Sequence, residues 1–224
     1  MAGTAILTGA HLRTPRAAAI AGMVFAILLM ISLTLLRLSV PIDPLETGSW
    51  LRGSSGRVLF ALNLVPFAGI AFLWFIGVLR DRLGDREDKF FATVFLGSGL
   101  LFLTMLFVAA GAAAALITIH AQQGDTLTAT AAFRLTRALS YSIMNIYAVK
   151  AAAVFMFTTS TIAIFTGIAA RWIAYLGYAL GLLLLFGSGL SSWTFLVFPL
   201  WVLLLSGDIL IDNLRGPSAL SRTP

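Results

Sequence analysis

The residues that could do chemistry in this chain are few, and most stand near the ends of long apolar runs. Lys150 is the clearest candidate. It lies within one such run, roughly 10 Å from its end by the helical rise. A lysine at that depth costs about 2 to 3 kcal/mol on membrane-insertion scales. Three arrangements answer that cost. The stem can lie along a helix and lift the ammonium to the interface. The charge can pair with an acid such as Asp43, Glu46 or Asp125, or it can line a polar cavity. Asn63 and Pro66 share another run. Pro66 has no N–H, frees the carbonyl of Leu62 and permits a kink. Asn63 can satisfy that carbonyl, bond to another helix or touch a ligand.

A second constellation precedes the run that holds Lys150. Thr126, Thr130, Arg134, Arg137, Tyr141 and Asn145 are spaced 4, 4, 3, 4 and 4, which puts them on one helical face. Leu127, Leu135 and Leu139 occupy other faces, with Phe133 at the flank. The pattern predicts an amphipathic helix on the membrane surface or extending a span outward. Its polar face is either solvated or, through Arg134 and Arg137, a shallow site for anionic lipid headgroups. Asp208 and Asp212 stand one turn apart near the end of the last apolar run. Arg215 is placed to neutralise one of them, which predicts a solvated end with a local ion pair.

Several chemistries are absent from the sequence. There are no cysteines, so disulfides, thiolate metal sites and cysteine nucleophiles are excluded. His11 and His120 are the two histidines and cannot form a paired haem site within the membrane. No His-Glu-x-x-His and no phosphate-binding glycine loop with its lysine occurs. Ser98 and Ser188 sit between glycines without a histidine base. Leu205-Ser206-Gly207-Asp208 lacks the second mid-membrane aspartate of an intramembrane aspartyl protease. No metal and no cofactor is expected.

The elements that must position these residues follow from hydropathy. The chain has 224 residues, 59% hydrophobic and 11% charged, with a mean hydropathy of +0.97. Soluble domains carry about 25% charged residues. Six runs reach the roughly 20 residues needed to span a bilayer. They are about Ala17 to Leu38, Val58 to Leu79, Phe90 to Ile119, Ile143 to Ala170, Trp172 to Leu190 and Trp193 to Ile211. The third is long enough to tilt or protrude. The first lacks a small-x-small cleavage site and reads as a retained helix. Together they predict a single all-α domain, a polytopic bundle of about six transmembrane helices.

The net charge of +6 comes from residues flanking these runs and implies no nucleic acid. With the first terminus inside, nine Lys and Arg residues fall on the inner side and five on the outer. That favours both termini in the cytoplasm. Arginine outnumbers lysine 13 to 2 in an alanine- and leucine-rich chain, a bias associated with GC-rich bacterial genomes. Gly84 suits a helix end and Asp85 an N-cap, with Glu87 and Asp88 in the next first turn. Arg80 to Lys89 is therefore expected to be a tight hairpin.

The stretch Arg80-Asp81-Arg82-Leu83-Gly84-Asp85-Arg86-Glu87-Asp88-Lys89-Phe90-Phe91, continuing to Gly99, resembles a segment of small multi-pass membrane proteins of actinobacteria. The resemblance implies a bacterial cytoplasmic membrane and transfers no activity to any residue. Small-residue faces mark helix contacts: Gly177 and Gly181, the series Ala18, Gly22 and Ala26, and the run Ala109 to Ala115. They serve packing within the bundle or association with another copy.

Three functions are compatible with these residues. A non-enzymatic membrane component, packing with itself or a partner protein, has most support. A small transporter or channel rests on Asn63, Pro66 and Lys150. A lipid-modifying enzyme has least. The discriminating geometry is whether Lys150, Asn63 and Asn145 converge on one cavity.

Overall fold

A computed structural model describes residues 14–43, 46–81, 89–187 and 193–215. Among the described residues there is no β-strand, and the chain forms an all-α helical bundle. Helix α1 spans Thr14–Ser39, the short α2 Trp50–Gly53, α3 Ser55–Asp81 and α4 Lys89–Gln123. A 3-10 segment, Gly124–Ala129, leads into α5, Ala131–Ser142. A π-helical segment, Ile143–Ala148, then joins α5 to α6, Val149–Thr166. Next come α7, Arg171–Phe186, a 3-10 turn at Thr194–Leu196, and α8, Val197–Arg215.

Five segments are long and apolar enough to cross a membrane: 17–39, 55–80, 90–129, 131–166 and 194–212. The expected span from Trp172 to Leu190 forms, within the described residues, a 16-residue helix, α7. At about 1.5 Å per residue it reaches roughly 24 Å, short of a hydrocarbon core of about 30 Å. The span expected to continue to Ala170 stops at Thr166. Gly167 adopts φ +67°, and its N–H returns to the Ala163 carbonyl at 3.0 Å. This left-handed cap closes α6. The hairpin capped by Asp85, Glu87 and Asp88 lies outside the described residues, as do His11, Ser188 and the Arg215 side chain.

Association of helices in lipid relies on close packing and hydrogen bonds, because the surrounding chains are as apolar as leucine. Here α1, α3, α4, α6 and α8 each send one phenylalanine to the centre. The rings of Phe25, Phe72, Phe102, Phe155 and Phe198 pack with neighbouring centroids 4.4 to 6.4 Å apart. Such pairs add about 0.5 to 1.5 kcal/mol each beyond the area they bury. Helix α7 joins differently. Gly177 and Gly181 lie against α6, where a Cβ would meet Ser160 Oγ at the first and the Phe157 ring at the second. The Trp201 indole donates to the Ile173 carbonyl at 3.2 Å, and the Thr161 and Tyr178 hydroxyls share a bond of 2.7 Å.

The small-residue face of α1 is also internal. Ala18, Gly22 and Ala26 are buried, and a Cβ on Gly22 would strike Ser206 Oγ of α8 and the Phe75 ring of α3. Asp208 corrects the expectation of a solvated helix end. Its carboxylate accepts the Ala170 N–H at 2.7 Å and so caps the start of α7. An acid at a helix N-terminus also meets the positive end of that helix dipole.

A candidate ligand cavity at the α2 end

The polar and apolar faces expected of α5 are both divided: Arg137 is buried while Arg134 and Tyr141 are exposed, and Phe133 is buried while Leu135 and Leu139 are not. Thr130 caps the helix, its hydroxyl accepting the Phe133 N–H at 3.1 Å. Leu135 and Leu139 are exposed, 69% and 51%, while Arg137 is 6% exposed. Lipid rewards apolar side chains turned outward, and a polar group turned inward needs partners inside the protein. Arg137 is satisfied there by the α1–α2 loop. Its Nη1 donates to the Glu46 carboxylate and to the Glu46 carbonyl, both at 2.7 Å. Its Nη2 donates to the carbonyls of Asp43 at 2.6 Å and Pro41 at 3.3 Å. The planar fork of a guanidinium suits this many acceptors at once.

Glu46 in turn organises the entry to α2. Its carboxylate accepts the N–H of Gly48 at 2.9 Å, the N–H of Ser49 at 3.0 Å and the Ser49 hydroxyl. Gly48 sits at φ +86°, and a Cβ there would meet the rings and methyls of Phe133 and Thr128. Glycine alone fits both conditions. Burial pushes the Glu46 carboxyl up, but bonds from Ser49, Arg137 and the two N–H groups outweigh it and hold the pKa at about 2, against 4.5 for the free group. A carboxyl whose pKa is lowered on folding stabilises the fold above its unfolded value and loses that contribution as pH falls. We therefore expect stability of the purified protein to decline between about pH 4.5 and pH 2. Glu46→Gln should flatten that decline; an identical pH profile for the variant would refute the assignment.

Between this clasp and the bundle lies a cavity of about 170 Å³, lined among others by Leu36, Val58, Ala110, Leu116 and Met144. Its walls come from α1, α3, α4, α5 and the π-helical segment, and its polar lining includes Arg37, Trp50, Arg137, Ser140, Tyr141 and Asn145. Beside it is an open hollow of about 490 Å³ lined by residues 37–42 and Trp193. Arg37, Val40 and Pro41 border both. Two donors lining the cavity, Arg37 Nη2 and Trp50 Nε1, are buried with no hydrogen-bond partner, as is Ser39 Oγ in the hollow. Buried polar groups are nearly always satisfied, and three of the six unpartnered ones among the described residues border the cavity or the hollow beside it.

The residues singled out by sequence are dispersed. Asn145 lines the cavity, with its amide donating to the Tyr141 carbonyl at 2.9 Å where the π-helical turn departs from regular α-helical pairing. Lys150 is exposed on α6 and Asn63 is exposed on α3; neither lines the cavity or has a bond to another described residue. The acids expected as partners of Lys150 are engaged elsewhere. Glu46 holds Arg137, and Asp125 holds Arg52 through bonds of 2.7 and 2.8 Å. Arg134 is exposed while Arg137 is turned inward, so the two do not form one shallow headgroup site. Among the described residues no three His, Asp or Glu side chains come together as a metal site.

Three residues of this region were not anticipated as a set. In the sequence Glu46 is a candidate partner of Lys150 and Arg37 one of the basic residues flanking the runs, and neither reading joins them to Trp50. The available signal was an arginine in the last turn of an apolar helix with no acid one turn away. The five long apolar helices make this a membrane-embedded helical protein. No protein-family model matches the chain, and no curated protein or solved structure shows significant similarity to it.

Proposed function

We propose that the protein is a non-enzymatic component of a bacterial cytoplasmic membrane that assembles with a second copy of itself through α3. The observation that carries this reading is Asn63. Its amide is exposed on a membrane-length helix with no partner among the described residues. Amides in lipid find partners on neighbouring helices, and this one has none within its own bundle. Around it, Phe60, Phe67, Ile70 and Trp74 are exposed by 55 to 67%. With Asn63 they recur at intervals of 3, 4, 3 and 4, the seam pattern of paired helices, in which a polar residue fixes register. The small-residue faces of α1 and α7 are occupied within the bundle, by Ser206 and Phe75 at Gly22 and by Ser160 and Phe157 at Gly177 and Gly181.

A conduit finds less support. Lys150, Asn63 and Asn145 do not meet, and five phenylalanine rings fill the bundle centre. Orientation with both termini in the cytoplasm rests on the distribution of Lys and Arg.

The chain has no cysteine, so one introduced thiol reports cleanly. Asn63→Cys in membranes should give a disulfide-linked dimer on mild oxidation, since a two-fold seam brings equivalent Cβ atoms within the about 4 Å that a disulfide needs. Leu135→Cys, on an exposed face of α5, should remain monomeric. Asn63→Leu should weaken association by about 1 kcal/mol. Absence of cross-linking at residues 60, 63, 67 and 70 alike would overturn the reading.

A further inference from the structure

We propose that the cavity at the α2 end binds a single-chain anionic amphiphile, its chain in the apolar cavity and its headgroup on Arg37 in the adjoining hollow. The site is distinct from the α3 seam and does not depend on it.

The shape of the space matches such a molecule. A mostly apolar compartment opens beside a larger hollow, and Arg37 stands at their junction. The electrostatics match as well. Arg137 also borders the cavity, but Glu46 compensates its charge. Arg37 has no ion pair or hydrogen bond to any described residue, and its Nη2 is buried. A buried guanidinium N–H without an acceptor is costly, and an anion in the hollow would remove that cost. Trp50 Nε1 and Ser39 Oγ offer further donors, and among the described residues no carboxylate lines either space to repel an anion.

Size sets how much chain enters. A cavity of about 150 Å³ accommodates benzene, so this one holds a segment of about six carbons and not two acyl chains. Binding along a series of alkyl carboxylates should therefore strengthen by about fourfold per methylene up to roughly six carbons and then level off. The same chemistry is offered by a free fatty carboxylate or by one chain and the headgroup of an anionic phospholipid.

The test uses the full chain in phosphatidylcholine nanodiscs, titrated with 6-bromohexanoate as a quencher of tryptophan. The Trp50 signal is the difference between the parent and Trp50→Phe. Saturable quenching of Trp50 is expected, with the methyl ester of the same acid at least tenfold weaker. Arg37→Gln should weaken the acid at least tenfold, Arg37→Lys much less, and Ala113→Phe should abolish quenching by filling the cavity. Retained binding by Arg37→Lys separates lost charge from lost folding. Adding phosphatidylglycerol to the nanodiscs distinguishes the sources. Competition assigns the site to an anionic phospholipid, and its absence to the free acid. Equal binding of acid and ester, or an unchanged affinity in Arg37→Gln, would overturn the proposal.

Discussion

Replacing Arg137 by alanine should destabilise the protein by about 3 to 5 kcal/mol, the cost of breaking a buried ion pair by removing one partner. The reasoning follows the acceptors. Removal strands the Glu46 carboxylate and the carbonyls of Pro41, Asp43 and Glu46. Glu46 is better placed to recover, because Ser49 and two N–H groups still hold it. Glu46→Gln should therefore cost less than Arg137→Ala, since the three carbonyls still serve the guanidinium. The double variant should be less damaged than the sum, a coupling that the double-mutant cycle measures. Thermal unfolding in detergent is the readout, with a drop on the order of 10 °C for Arg137→Ala. A drop within the range of surface substitutions, about 0.5 kcal/mol, would show that the clasp contributes nothing.

The second large effect is expected at Gly177. A methyl group there would fall on Ser160 Oγ and come within 2.8 Å of the Trp201 ring. Neither neighbour can yield easily: Ser160 is buried on α6, and Trp201 is buried and tied to Ile173. Overpacking of this kind costs about 1 to 3 kcal/mol, so Gly177→Ala should lose that much and Gly177→Leu should fail to fold. Ser160→Ala should restore part of the loss by removing the nearest atom. Gly97 supplies the contrast. It is exposed in the middle of α4, and a Cβ there meets nothing within 4 Å. Gly97→Ala should be neutral or stabilising by up to about 1 kcal/mol, through helix propensity alone. Equal responses at the two glycines would contradict the packing described for α7.

The difference between what hydropathy reveals and what it hides is visible in α5. Spans are legible because a run of apolar residues needs no knowledge of its neighbours. Among the described residues five of the six expected runs became membrane-length helices, and the remaining one, Trp172 to Leu190, became the shorter α7. Periodicity likewise placed Arg134, Arg137, Tyr141 and Asn145 on one side of one helix. It could not say which side faces inward. A helix beside lipid can turn single polar residues inward, and α5 does so with Arg137 while Arg134 of the same stripe stays exposed. Asn145 was recognised as polar within a span and does line the cavity. Arg37 was not recognised, because its interest lies in having no partner. That is a property of everything around it. Gly167 was readable as a helix end from its type, yet the apolar run beyond it hid the stop.

The pairing of α1 with α8 bears on how the chain is made. Gly22 and Ser206 meet across that contact, yet α8 leaves the ribosome long after α1. At about 5 to 20 residues per second, the intervening 180 or so residues take roughly 10 to 40 s to synthesise. During that interval the groove at Gly22 can be closed on one side by Phe75 of α3, while the side that receives Ser206 waits for α8. Helix α8 thus closes a surface that α1 has held open while the helices between them were made. A chain stalled before α8 would present that groove, small and apolar, to whatever quality-control factor surveys unfinished membrane proteins.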